Sequence, residues 1–516
     1  MYQQWGEVQR IEDDLLCKIL RLHLGAEKGD RCRVLYKTGG AYNRVHIMQC
    51  NDGSKYVIRV PQFGRPDRWT EADARGFRSQ VLTMRYIKRH TKLPVPDVIA
   101  YSATCDNELG YAYMLMSFVE GSTMYEEWRP NSDESPDLAK KRRRMLKSLA
   151  YTMAELQRLE FPAGGMLYFE TDNDDNPSIV PAYMDDNYTI HNPRHGQKHK
   201  PYFIPVEYSA KQLFDEGLTE WGNKSGQNLS EKRIKSSRHT KAQWLVLNII
   251  KECIPFPAAA PRNAYENKQE SVDVKTSFPT NNSLVGSPLP ITEAEEHSSS
   301  AETFFLVPPD FDWQNILVDR EGNVTAIIDW DNVKTKHRFQ GWISMPCFLR
   351  SDWMEFGLPQ FTKTQQGHRW DGSITWTSEH IEHYRKLYAS YLAEVTHGEG
   401  DGIYAAKSHL FEAVEEAITC PHRTDTVIQM LLRTVLPPRT DVLEYLDRIG
   451  SEGWKYRERD WLIKRFKKLF ECKALSEGMR GECNKLVKRF EKLFQRKALG
   501  EETLSACSCN TFEALF

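Results

Sequence analysis

The chain has 516 residues, 40% of them hydrophobic and 11% aromatic, enough for a sizeable core and about two to four domain-sized units. Charged residues make up 27%, yet the formal net charge is only −2, so nothing electrostatic points to nucleic acid as a partner. No apolar stretch is long enough to cross a bilayer, so no transmembrane segment is expected. The 11 cysteines contain no Cys-x-x-Cys pair, and no His/Cys cluster completes a zinc site around Cys507 and Cys509. They read as reduced thiols of a cytoplasmic protein.

The first residues reach Glu12, Asp13 and Asp14 too soon for a signal or transit peptide. Leu15 to Leu24 reads as a short amphipathic helix, and residues 1–29 form an N-terminal helical segment. A small β-rich unit is expected over 30–121. Its strands are Arg31 to Lys37, Asn43 to Cys50 and Lys55 to Val60, with a hairpin signal at Asn51-Asp52-Gly53. Ala74 to Arg89 places Phe77, Val81, Met84 and Ile87 on one helical face. Two further strand-like runs follow, Val95 to Tyr101 and Tyr111 to Val119.

Helices dominate a larger unit over 122–450. Leu138 to Leu159 is a long periodic stretch whose run from Lys140 to Arg144 reads as a solvated helix face. Thr171 to His199 is polar and turn-rich. Residues 262–302 are rich in Ser, Pro, Asn and Glu and read as a disordered insertion. Residues 451–516 form a helical extension. There Lys464 to Phe470 nearly repeats as Lys488 to Phe494, and each copy is followed, after two intervening residues, by Lys-Ala-Leu. Two copies are too few for a solenoid, so a pair of amphipathic helices able to bind a partner is expected.

The chemistry is concentrated in residues 304–331. Ile316 to Val318 and Val324 to Ile328 are apolar strands around a turn at Asp319 to Asn323. Antiparallel pairing would bring Asn315, just before the hairpin, next to Asp329, just after it. Asp310 sits on the loop leading in. Oxygen ligands so placed suit Mg²⁺, which holds substrate phosphates. Phosphoryl transfer also needs a carboxylate to take the acceptor's proton. In the kinase catalytic loop an Asp precedes an Asn by five positions and a metal-binding Asp follows on the next strand; Asp310, Asn315 and Asp329 have that spacing.

The segment resembles the aminoglycoside phosphotransferase family in the form common in fungal genomes, where this loop runs His-Pro-Asp-Phe-Asp-x-Gln-Asn-Ile-Leu-Val-Asp and the metal strand ends Ile-Ile-Asp-Trp. The likeness covers about residues 30–350, with interruptions. It implies an α+β, two-lobed, protein-kinase-like fold, with a small antiparallel-sheet N-lobe and a larger, mainly helical C-lobe. It also implies an ATP-dependent transfer to a hydroxyl of a small molecule, with Asp310 as base and Asn315 and Asp329 as Mg²⁺ ligands. Gly39, Gly40 and Asn43 look like the loop over the phosphates, and Arg59 stands at the strand cation. Leu115 to Glu120, with Met116 and Phe118, resembles the adenine hinge.

Two residues depart from the family pattern: Pro308 replaces a loop-bracing His, and Gln80 replaces the helix Glu that pairs with the strand cation. Gln80 could still hydrogen-bond Arg59, and Glu71 or Asp73 could take over the pairing. Asp312 reads as a structural carboxylate near the phosphates. An acceptor site is expected from Trp342 to Trp353 and the helices after His380, with Asp352 and Glu355 able to attract a cation. The competing reading is a weakened pseudokinase or scaffold that keeps nucleotide affinity. No Ala-Pro-Glu-like segment follows Asp329, which argues against a protein kinase.

Overall fold

The computed structural model describes residues 8, 10–29, 32–40, 42–130, 135–184, 202–204, 206–207, 209–225, 232–256, 302–353, 378–397 and 400–472. Most of the 262–302 segment, Glu355 and the second copy of the repeat lie outside them.

Helix α1 (Asp13–Leu24) carries Asp13 and Asp14 in its first turn and Arg21 and His23 in its last, matching the helix dipole at both ends. Its face of Leu16, Ile19 and Leu20 packs with Val8 and Ile11 against Met48, Ile58, Val60 and Leu115 of the sheet. The N-terminal helix is therefore part of the small lobe's core. A short turn of helix, α2 (Ala26–Gly29), leads into the strands.

Strands β1 (Arg33–Gly39), β2 (Asn43–Gln49), β3 (Lys55–Pro61), β4 (Val98–Ser102) and β5 (Tyr113–Ser117) form one sheet in the order β1-β2-β3-β5-β4, with every pair antiparallel. The β2–β3 turn uses Gly53 at φ +83°, where a side chain would be strained. Helix α3 (Glu71–His90) lies between β3 and β4 and starts with a Thr70–Asp73 capping box.

The chain leaves β5 through Gly121, at φ +151°. A Cβ there would sit 2.8 Å from Thr325 Oγ1 and 2.9 Å from the Val318 carbonyl, so only glycine lets the connection pass over the hairpin. Strand β6 (Ser122–Thr123) then pairs with the hairpin strand Ile316–Val318, and helices α4 (Met124–Trp128) and α5 (Pro136–Met153) follow. The basic run on α5 is not wholly solvated: Arg142 turns inward and donates to the carbonyls of Trp128 and Arg129 at 2.9 and 2.8 Å.

Short strands β7 (Glu160–Phe161), β8 (Met166–Tyr168), β9 (Ser178–Val180), β10 (Ala182–Met184) and β11 (Tyr202–Ile204) line the approach to helices α6 (Ala210–Ser225) and α7 (Lys232–Cys253). Strand β12 (Phe304–Val307) pairs with β7 and with β15 (Lys334–His337), while β13 (Ile316–Val318) pairs with β14 (Val324–Ile327). The last helices are α8 (Ser378–Val395), α9 (Ser408–Thr419), α10 (Pro421–Val435), α11 (Val442–Glu452) and α12 (Glu458–Phe470). The chain thus has the α+β, two-lobed, kinase-like architecture. No described helix is long and apolar enough to cross a membrane.

The first copy of the repeat is a core element. Leu462, Phe466 and Phe470 of α12 are fully buried in the C-lobe cluster formed with α7, α9, α10 and α11. The apolar face of this first copy, expected to await a partner, is taken up within the chain.

Candidate active site

The hairpin places the expected residues together. Ile316 faces Ile327 across the ladder, and the Ile328 amide donates to the Asn315 carbonyl at 2.9 Å. That closes the pair just where Asp329 leaves the strand. Asp329 has φ +62°, a left-handed conformation that Asp and Asn tolerate better than most residues. The buried Asn315 amide donates to the Asp310 carboxylate and carbonyl, both at 2.9 Å. Gln314 adds a weaker bond to the same carboxylate at 3.2 Å. Asp310 itself is exposed.

Asp312 has a different task. Its Oδ1 accepts from the amides of Trp313 and Phe348 at 2.9 and 3.1 Å, tying the loop to the segment beyond β15. Burial pushes its carboxyl up to about 6, against the pull of those amides.

Arg59 reaches across from β3. It contacts Asp329 and Asp331, each at 2.6 Å, and Asn43 donates to Asp331 at 2.8 Å. Burial, then the charge of Asp331, raise the Asp329 carboxyl to about 6, with Arg59 opposing and Asp310 adding to the rise. Asp331 was not anticipated as part of this group. The Asp-Trp-Asp spelling was visible, and a left-handed turn at Asp329 brings both acids to one cation.

Other expectations change here. Gln80 is buried, its Nε2 has no hydrogen-bond partner, and the expected bond between Gln80 and Arg59 is not formed. Glu71 pairs with Arg75 at 2.6 Å and Asp73 closes the helix cap, so neither takes over the missing glutamate's pairing. The Gly39-Gly40 turn is closed by the Gly40 amide on the Asn43 carbonyl at 3.1 Å. In the segment expected as a hinge, Met116 packs into the sheet and the core, and the Phe118 amide is already engaged by the Lys55 carbonyl at 3.2 Å.

A cavity of about 490 Å³ opens beside the carboxylates. Tyr42 and Gln80 bound it from the N-lobe side; Pro308, Asp310, Asp329 and Asp331 bound it from the hairpin. Its far wall carries Lys334, Lys336, Gln340, Arg350 and Glu412. Gly39, Arg59, Met116 and Phe118 are not in its lining.

The expected acceptor segment contributes only in part. Ser344, Met345 and Arg350 line the cavity, whereas Trp342 and Trp353 are core residues. Asp352 does not face it: Arg385 clasps both of its oxygens at 2.5 and 2.6 Å. This acid is structural and unavailable to a cationic acceptor. Lys334, Lys336 and Glu412 escaped the sequence reading because they lie on a polar strand and a helix with no motif.

Residues 38–194 match the model of the phosphotransferase enzyme family. Over those residues the chain is similar to that family. The match ends before the hairpin, so the grouping of Asp310, Asn315 and Asp329 stands on geometry. Altered inheritance of mitochondria protein 9 of Candida glabrata is 30% identical over 156 residues, 27% of this chain and 24% of that one. A subtelomeric hrmA-associated cluster protein of Aspergillus fumigatus is 32% identical over 140 residues, 26% of this chain and 24% of that one. The matched part spans about a quarter of the length of these relatives. Among solved structures, macrolide 2′-phosphotransferase MphH of Brachybacterium faecium is 12% identical, with coverage of 86% of this chain and 100% of that one and a TM-score of 0.36. The fold assignment rests on the sheet order and the paired hairpin rather than on that superposition.

Among the described residues, no three His, Cys, Asp or Glu side chains form a ready-made metal cage. The donor set still fits a hard divalent cation. Asp329 and Asp331 share one guanidinium and Asp310 lies close enough to act on Asp329, leaving local negative charge uncompensated. Mg²⁺ is ordinarily held by one or two protein oxygens, with phosphate and water completing its shell.

Proposed function

We propose that the protein is an ATP-dependent phosphotransferase that moves the γ-phosphoryl group to a hydroxyl of a small molecule. The observation that carries this reading is the convergence of Asp310, Asn315 and Asp329 at one end of the hairpin, with Arg59 reaching Asp329 from the other lobe.

In this reading the exposed Asp310 carboxylate accepts the acceptor's hydroxyl proton. Asn315 holds that carboxylate in place through its 2.9 Å bond. The hydroxyl oxygen bonds to the γ-phosphorus, the bond from that phosphorus to the bridging oxygen breaks, and ADP leaves with the electron pair. Arg59, in contact with two carboxylates, can turn a guanidinium edge to phosphate oxygens. Asn315 and Asp329 would hold a Mg²⁺ ion, which supplies charge neutralisation on the phosphates when bound. Gly39, Gly40 and Asn43 stand as the loop over the phosphates, and Met116 and Phe118 as the hinge beside the base.

A nucleotide-binding scaffold without efficient catalysis is the second reading. It is favoured by Pro308 at the bracing position and by the unpartnered Gln80 amide. Thermal unfolding with Mg²⁺ and ATP tests the nucleotide site. At about 100 times its dissociation constant, a ligand adds about 2.7 kcal/mol. A rise in the native chain that vanishes in Asp329→Asn is expected. Transfer of labelled phosphate to a hydroxyl acceptor that falls at least about a hundredfold in Asp310→Asn separates the two readings. No stability response to the nucleotide would sink the enzyme reading.

A further inference from the structure

The far wall of the cavity is left unused by the chemistry just described. Strand alternation on β15 puts Lys334 and Lys336 on one face and Thr335 and His337 on the other. The two lysines line the cavity, while Thr335 and His337 are each 1% exposed on the buried side. Lys334 faces Val307 across the ladder, and Val307 stands three residues before Asp310. At most about 10 Å of chain separates Val307 from the proposed base, and the ladder pair adds about 5 Å to reach Lys334.

The cations on this wall are not equivalent. Arg350 is matched by Glu412 and Glu416, each at 3.0 Å. Lys336 donates to Gln340 at 2.9 Å and has Glu415 at 3.7 Å. Glu415 is also bonded to His337 at 2.9 Å. Among the described residues, Lys334 has no hydrogen-bond acceptor and no carboxylate within 4.0 Å. Burial first, then the charge of Lys336, lower its affinity for a proton, while Glu207 and Glu415 partly offset this from a distance. Of those two acids, Glu415 is engaged by Lys336 and His337, and burial drives Glu207 toward its neutral form.

Lys334 is half-buried, and an ammonium group partly withdrawn from water without a close counter-ion costs some stability. It is worth keeping where a ligand supplies the missing charge. The opposite wall is negative at Asp310, Asp329 and Asp331. A molecule with an anionic end would be repelled there and drawn to Lys334, which leaves its other end toward Asp310.

We propose that the acceptor is a small hydroxy compound carrying a carboxylate or phosphate, held by Lys334 with its hydroxyl turned to Asp310. This rests on the phosphotransfer reading, and it deepens that reading by naming the substrate class. Transfer then places a new phosphate ester on an already anionic molecule: the hydroxyl oxygen bonds to the γ-phosphorus, ADP leaves and the proton passes to Asp310. A polycationic acceptor is disfavoured by the same wall.

The test uses the full chain and direct binding. Mg²⁺ with AMP-PNP is added to saturation, and the thermal shift is recorded. Glycerol 3-phosphate, glycerate, glycerol and ethanolamine are then titrated separately. The two anions are expected to bind at least about tenfold more tightly than glycerol or ethanolamine, as a charge-assisted bond implies. The stronger of the two arms shows whether the site prefers phosphate or carboxylate. Lys334→Met should weaken both anions about tenfold without changing the AMP-PNP response, and without unfolding, because it leaves no polar group unpaired. Equal binding of all four probes, no binding of either anion, or unchanged anion binding in Lys334→Met overturns the proposal. An anion response without any nucleotide response would keep the anion site and sink the phosphotransfer reading instead.

Discussion

Two groups of acids lie close together in the chain and are handled in opposite ways. Asp352 is sealed in the C-lobe, its side chain 11% exposed, with one guanidinium on both of its oxygens. Arg385 is equally committed, since its Nε also donates to the Leu349 carbonyl at 2.9 Å. Asp329 is 38% exposed and shares a single guanidinium with Asp331, while Asp310 stands open nearby. The first arrangement matches one charge to one charge and shuts water out. The second leaves charge over and keeps a path to solvent. Charges that hold a fold together can be closed off, whereas charges that serve a ligand must stay unbalanced until it arrives.

The closed pair should carry the largest effect on stability. Asp352→Ala would leave Arg385 buried without its partner, which ordinarily costs about 3–5 kcal/mol. Denaturant unfolding of the variant should show a loss of that size, with nucleotide binding retained in the folded fraction. A loss below about 1 kcal/mol would mean that the pair is no more structural than the acids of the hairpin.

How much of this was legible in the sequence depends on whether the needed contact is local. The hairpin could be read because Asp310, Asn315 and Asp329 lie within twenty residues and two apolar strands set their register. The β2–β3 turn could be read because Asn-Asp-Gly admits few other conformations. Asp352 could not be read, since its partner lies 33 residues away on α8. Arg142 hides within five consecutive basic residues, and helical periodicity turns it inward while Lys140 stays out. The Lys-Thr-Lys-His of β15 has a strand's alternation but no apolar face of its own to announce it. The cavity supplies the meaning of the two lysines, and a cavity is a property of elements packed together.

His46 is a third kind of buried polar group, with neither a partner nor a route to solvent. It is fully buried in β2 and neither ring nitrogen has a hydrogen-bond partner. Burial first, then Lys37 and Arg44, push its pKa from 6.5 down to about 4. The folded protein keeps the ring neutral through that window, while the unfolded chain takes up a proton below 6.5. The stability this group contributes is therefore full above pH 6.5 and is lost as pH falls toward 4. At about 1.4 kcal/mol per pH unit, the loss amounts to roughly 3 kcal/mol. Unfolding free energies measured from pH 7 to pH 4 should fall less steeply in His46→Leu by that amount. A parallel decline in the two proteins would show that the ring is not protonated on unfolding.

The smallest expected effect is the most pointed, because it sets Asp329 directly against Asp352. Asp329→Asn keeps a side chain that tolerates φ +62°, so the backbone turn survives. Arg59 retains Asp331 at 2.6 Å and is not orphaned. The variant also removes one of three mutually repelling carboxylates, which offsets the contact it gives up. Without ligand its stability should stay within about 1 kcal/mol of the native chain, or rise, as expected where no buried charge is left unpaired. The same measurement on Asp352→Ala supplies the contrast: two acids, each in contact with an arginine, differ in what their removal does to the fold. If Asp329→Asn destabilises the ligand-free protein as much as Asp352→Ala does, the carboxylates at the hairpin are structural, and the surplus charge that marks them as a ligand site loses its meaning.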